Sequence, residues 1–448
     1  MRRHAPRRSG ALLLGALLML PIAAPAYPLD AYAETGIGRL EAQRRVEAGE
    51  LPGEKQPPGA KLPRAAVDLR LLGHRDLDLP PPDPGFSRQI AALLGENADR
   101  YAISVLDLSD PARPRYAEHR GDVSQNPGSV GKLLVILAWM QALADLYPGD
   151  TAKRWAVLRD TVVTADDFVN SDHHTVRLWD PRTQTLTRRS LAVGDRGSLL
   201  EFMDWMISAS SNSAASAVMR EGLLLRAFGK DYPPRAAVGR DYLLTTRKSA
   251  LSAALAAFLE DPEPRNGLDP KVLRQGTFFT RTGQHRVPGK TSYATTRELM
   301  KYVLRLEQGR LVDEFSSREI KRLMYQTERR IRYASSPALT GAAVYYKSGS
   351  LFECKPEPDF ACKAYAGNVK NFMNSVAIVE SPARERRLFY LVTLLSNVLR
   401  RNSAEDHQEI ATRIQRLIES LHPAAGLVDS GFPQRKKEGL PQAAPIRW

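Results

Sequence analysis

Apolar and polar positions change period several times along the chain, and each change marks an element. FSRQIAALLG, from Phe86, has the spacing of a short amphipathic helix, and YAISVLDLSD follows it with the branched residues Ile103 and Val105 of a sheet strand. Arg115 to His119 predicts a second strand beyond a proline-containing turn. After Pro127 and Gly128 the pattern becomes nearly continuous, and GKLLVILAWMQALADLY has the length of a buried helix. Leu199 to Met219 reads as mostly helical with a polar break at SASSNS; Ser249 to Leu259 reads as a further helix, and Thr295 to Leu306 as another with Thr296 as its candidate cap. Strand patterning returns at AAVYYKSGS, FMNSVAIVES and RLFYLVTLLS, before the amphipathic helix HQEIATRIQRLIES closes the regular part. A strand pair, a helical stretch, three returning strands and a closing helix make an α/β architecture. Its antiparallel sheet is assembled from distant parts of the chain beside a helical lobe, with a cleft where the two meet.

The flanks read differently. Arg2, Arg3, Arg7 and Arg8 precede ALLLGALLML and then PIAAPA, which predicts a secretory signal peptide over 1–26 and a periplasmic or secreted protein. An uncleaved membrane anchor is the alternative. Residues 27–85 read as a Pro-rich arm, with a short charged helix at GIGRLEAQRRVEAGE and loop at KQPPGAKLPR and Pro80 to Pro82. The domain is expected to run over 86–424, and residues 425–448 form a basic, flexible tail. At 448 residues and 43% hydrophobic content the chain can bury a large core, which excludes disorder throughout. Loss of the leader removes four arginines and no acid, lowering the formal charge from +14 to +10. That excess suits anionic surroundings such as wall polymers. No zinc-finger spacing or aromatic nucleic-acid motif accompanies it, so nucleic acid is not an expected partner. Cys354 and Cys362 lie close together after a predicted strand, and in an exported chain they are expected to close a local disulfide loop.

The chemistry concentrates in three short segments. Ser129 and Lys132 stand three apart at a helix start, so they share one face, and a neutral lysine there can take the serine proton to make a nucleophile. A Ser-x-x-Lys alone is common. Ser210-Ser211-Asn212 interrupts a helical stretch, where Ser210 can relay a proton and Asn212 can bind substrate or lysine; the competing reading is a helix junction. Lys347, Ser348 and Gly349 lie on a returning strand, the first two suited to a carboxylate and the glycine to close approach of a substrate, while the Ser350 N–H can join that of Ser129 in an oxyanion hole.

Together these segments resemble the penicillin-recognising serine enzymes, the class A β-lactamases and related D,D-peptidases, whose Ser-x-x-Lys, Ser-Asp-Asn and Lys-Thr-Gly elements come in this order. MISASSNSAASAV is similar to that family's surroundings of its second element, and TTRELMKYVLRLEQGRLV to its following helix. The resemblance spans Phe86 to Ala424. It implies a five-stranded antiparallel sheet flanked by helices plus a helical lobe, acylation at Ser129 by a β-lactam or peptidoglycan-like amide, and hydrolysis of the acyl-enzyme, without a cofactor. Alternatives are a D,D-carboxypeptidase or transpeptidase, a slowly deacylating penicillin-binding protein, another amide or ester hydrolase, or a nonenzymatic wall-binding protein. Three departures matter: Ser211 stands for the usual Asp, Ser348 for Thr, and no Glu-x-x-Leu-Asn precedes HRVPGKTSYATTREL, where TRTGQ is found instead.

Other polar residues have weaker readings. Asp166, Asp167, Glu260 and Glu263 are expected as solvated or capping groups. His173 and His174, followed by Asp180, are candidates to line the cleft or respond to pH, and without a third ligand no metal is expected. Tyr345 and Tyr346 alternate across their strand, and Phe352 and Tyr365 are candidates for a cleft wall. The sequence indicates no oligomeric interface.

Overall fold

The computed structural model describes residues 31–327 and 330–423, so the leader and the basic tail lie outside the described residues. Its main sheet comprises β1 (Tyr101–Asp107), β2 (Arg115–His119), β3 (Ala343–Glu353), β4 (Lys370–Ser381) and β5 (Leu388–Asn397). All its pairings are antiparallel, in the order β2-β1-β5-β4-β3. The predicted α/β architecture, a five-stranded antiparallel sheet with flanking helices and a helical lobe, is the one observed.

Every residue of β1 is buried, because both sheet faces are covered. Alternate residues serve two cores. Ile103 and Val105 join Val392 and Leu394 on one face, while Ala102 and Leu106 join Leu391 and Leu395 on the other. The first face packs on Phe86 and Ile90 and on Ile410, Ile414 and Ile418 of the closing helix, Ser403–Leu421. The second faces the helical lobe.

Helix α2 (Pro84–Ala92) covers the first face, and the arm and lobe are built from α1 (Gly38–Ala48), α3 (Lys132–Leu146), α4 (Leu199–Ile207), α5 (Asn212–Phe228), α6 (Thr296–Glu307) and α7 (Glu314–Tyr325), among other helices. The helix carrying Thr295 and Thr296 is capped by the former, whose side chain accepts from Glu298 N. Thr296, the expected cap, is instead buried with its hydroxyl against Ser104.

Residues 31–85 lie on the body through specific polar contacts. Arg39 in α1 pairs with Asp204 in α4 through two contacts of 2.6 Å and donates to the Gln326 carbonyl at 2.7 Å. Further along, Lys321 of α7 donates to the Asp68 carbonyl and sits between Glu307 and Glu380, all three charged side chains fully buried.

Glu263 departs from its solvated or capping reading. It is fully buried in the short helix Pro262–Arg265, and neither carboxylate oxygen has a hydrogen-bond partner among the described residues. Burial, with Glu260 adding to it, pushes its carboxyl from 4.5 up to about 9. The unfolded chain therefore ionises Glu263 at lower pH than the folded one, so this residue costs stability progressively as pH rises from 4.5 to about 9. Glu263→Gln is expected to stabilise the protein by on the order of 1–3 kcal/mol at pH 8, with the gain closing below pH ~4. Denaturant unfolding of both forms across that range checks it; a pH-independent difference would rule out the buried acid as its cause.

Candidate active site

A short helical turn, Gly128–Gly131, runs directly into α3, so Ser129 and Lys132 fall on consecutive turns of one face. Gly128 has φ +52°, the left-handed region that glycine enters at least cost. Lys132 Nζ is 2.9 Å from Ser129 Oγ, 2.6 Å from the Ser210 carbonyl oxygen and 2.8 Å from Asn212 Oδ1. The lysine is wholly buried, with the Phe279 ring 4.7 Å from Nζ. Burial lowers its pKa to about 7, against the opposing charge of Asp172. A neutral amine has two hydrogens and one lone pair. The Ser210 carbonyl and Asn212 Oδ1 accept the hydrogens, which leaves the lone pair for Ser129.

The polar break is a junction as well as a set of site groups. Helix α4 ends at Ile207, and Ser211 caps α5 by accepting from Ala214 N. Between them Ser210 takes φ +60°, an uncommon conformation for a serine that sends its carbonyl to Lys132 and its hydroxyl to Lys347, 2.9 Å from Nζ. Asp172, from a separate loop, accepts from Ser211 Oγ at 3.0 Å and Ser213 N at 2.9 Å. Sequence reading did not single out Asp172.

Strand β3 forms the opposite wall. A Cβ at Gly349 would lie 2.2 Å from the Pro127 carbonyl oxygen and 2.6 Å from Ser129 N, so only glycine fits where β3 crosses the nucleophile turn. A Cβ at Gly128 would in turn lie 3.1 Å from Ser350 N. The amides of Ser129 and Ser350 are thereby brought to one side of the cleft. Lys347 is buried, and burial, reinforced by the charges of Lys132 and Arg332, holds its ammonium well below its ordinary pKa.

Arg332 was not anticipated. It reaches Ser348 Oγ at 2.6 Å and Ser350 Oγ at 3.2 Å, with its guanidinium 4.8 Å from the Tyr365 ring centroid. Its only sequence signal was a basic residue in a polar loop. Arg332, Lys347 and Lys363 are basic residues lining the cleft, whereas no Asp or Glu lines it among the described residues. Such a field favours an anionic ligand.

The cleft encloses about 1110 Å³. Phe352 and Tyr365 line one wall as expected, their ring centroids 6.0 Å apart, and the nearby Cys354–Cys362 disulfide closes its local loop. Tyr346 faces the cleft, while Tyr345 is buried against Tyr325. His173 and His174 line the cleft, but Asp180 does not; its carboxylate accepts from Arg182 N in a hairpin turn. Asp166 caps a short turn and pairs with Arg220, Asp167 pairs with Arg286, and Glu260 with Lys290. Asp172, His173 and His174 bring ligand atoms within 4.8 Å of one another. Both Asp172 oxygens already accept hydrogen bonds from protein groups, which a metal would have to displace.

No family model matches the sequence, and no curated protein matches it. Among solved structures the chain is similar to PBP-A at 14% identity and TM-score 0.48, over 77% of this chain and all of that one. It is similar to a β-lactamase from Sphaerobacter thermophilus at 14% identity and TM-score 0.49, over 75% of this chain and 98% of that one. The TLA-3 extended-spectrum β-lactamase gives 12% identity and TM-score 0.47, with coverage of 75% and 98%.

Proposed function

We propose that this protein is an exported serine hydrolase, acylated at Ser129 by a β-lactam or a related amide bearing a carboxylate, with water releasing the acyl group. The observation that carries this reading is the buried Lys132 amine, 2.9 Å from Ser129 Oγ with its pKa lowered to about 7. Lys132 takes the hydroxyl proton as Oγ attacks the carbonyl carbon, and the Ser129 and Ser350 amides stabilise the resulting oxyanion. As the carbon–nitrogen bond breaks, the Ser210 hydroxyl, 2.9 Å from Lys347 Nζ, gives its proton to the leaving nitrogen, and the proton that Lys132 took from Ser129 restores it. Lys347, Ser348 and Arg332 hold the carboxylate, Asn212 orients Lys132 and substrate, and Gly349 admits the substrate to the backbone. These steps need no cofactor.

A second reading is a D,D-carboxypeptidase or transpeptidase acting on peptidoglycan stem peptides. The volume of about 1110 Å³ exceeds what a small bicyclic lactam needs and suits a longer peptide, and a cleft lining without carboxylates suits a long-lived acyl-enzyme.

Time-resolved intact mass of the purified full chain with benzylpenicillin tests both. A short-lived adduct with steady formation of penicilloic acid is the expected result. A persistent adduct would favour the peptidase-like reading, and neither adduct nor turnover would remove the β-lactam as acyl donor.

A further inference from the structure

Acylation of Ser129 leaves an ester that water must clear, and the cleft lining offers no carboxylate among the described residues to activate that water. It does offer an imidazole. His174 lines the cleft, and its Nδ1 is 2.6 Å from Asp172 Oδ1. The backbone N–H of His174 also donates to Oδ1 at 3.1 Å, fixing the two residues in a tight loop. The other carboxylate oxygen accepts from Ser211 and Ser213, the neighbours on either side of Asn212, which itself holds Lys132. Asp172 thus joins the imidazole to the segment that positions the lysine. With Asp172 accepting the Nδ1 hydrogen, a neutral His174 keeps Nε2 as a free-lone-pair acceptor.

We propose that His174, oriented by Asp172, is the general base that activates the deacylating water. The inference rests on acylation at Ser129 as proposed above. Nε2 takes one proton from water as the water oxygen bonds to the ester carbonyl carbon. The tetrahedral species collapses by breaking the bond between that carbon and Ser129 Oγ, and the proton is returned to Oγ, releasing a carboxylic acid and free enzyme. Burial lowers the His174 pKa, which favours the neutral imidazole, while the Asp172 hydrogen bond opposes this and the Lys132 charge adds to it. His173, stacked at 4.4 Å between ring centroids, is the other titratable ring beside it.

The test follows the Ser129 adduct of the full chain with benzylpenicillin by intact mass, for wild type, His174→Asn, His174→Gly and Asp172→Asn. Acylation rates of both His174 variants should stay within a few-fold of wild type, while their adducts should live at least about 100-fold longer. Asp172→Asn should lengthen it less. Added imidazole should shorten the His174→Gly adduct in a dose-dependent way, which a purely structural histidine would not permit. An unchanged lifetime in His174→Asn, loss of acylation in both His174 variants, or a wild-type adduct as persistent as theirs would each overturn the inference. If wild type neither acylates nor turns over, the acylation reading itself fails, and that outcome is seen before any lifetime is measured.

Discussion

Lys132→Ala is expected to slow acylation of Ser129 by about 10²–10⁴-fold at neutral pH, with Ser129→Ala, which should form no adduct, as the zero point. The lysine is the base closest to the hydroxyl, and its other hydrogen-bond partners, the Ser210 carbonyl and Asn212 Oδ1, are acceptors that cannot replace it. The pH profile supplies a second readout. A lysine with pKa about 7 is a competent base only after losing its proton, so wild-type acylation should rise through pH 7 and level off above about pH 8. The residual rate of Lys132→Ala should lack that rise. Stopped-flow consumption of a chromogenic cephalosporin under single-turnover conditions measures both. An unchanged rate in the alanine variant, in a protein that still unfolds cooperatively, would sink the lysine as base.

What could be read in advance follows from how locally each feature is encoded. Strands β1, β4 and β5, and β3 as far as Gly349, are buried on both faces and so carry dense apolar runs. Ser129 and Lys132 share a helix face at a spacing of three, which sequence displays directly. Arg332 and Asp172 do not, because each reaches its partners through a loop whose course is set by tertiary packing. Helix α7 was missed because EFSSREIKRLMY is dense in charge; its core-facing Ile320, Leu323 and Met324 make a narrow stripe, and the buried Lys321 has no apolar signature. The Thr295 cap was legible in principle, since Glu298 three residues on is the partner a capping threonine selects. Glu263 was misread because an acidic residue next to prolines usually faces water. Its burial depends on α3 and neighbouring helices that the local sequence does not reveal.

Arg39→Ala is expected to destabilise the protein by about 3–5 kcal/mol, more than a surface pair of the same type, for which roughly 0–1 kcal/mol is typical. Arg39 is 2% exposed and the Asp204 side chain 0%, so truncating the arginine removes a guanidinium that neutralises a carboxylate within the interior. Asp204→Asn in the same background should recover part of the loss, because the amide tolerates burial without a counter-ion. The contact also bears on the cleft. The Asp204 carbonyl accepts from Ser208 N, and its carboxylate lies 3.4 Å from Ser208 Oγ, at the start of the segment that carries Ser210 and Asn212. Arg39 further holds the carbonyl of Gln326, next to the cleft-lining Thr327. The arm therefore braces both walls of the site from behind, and Arg39→Ala should lower the acylation rate several-fold even at temperatures where the variant remains folded. Chemical denaturation of Arg39→Ala, Asp204→Asn and the double variant, with acylation measured on each, separates the two effects. A loss below about 1 kcal/mol would mean that the arm stays docked without this ion pair.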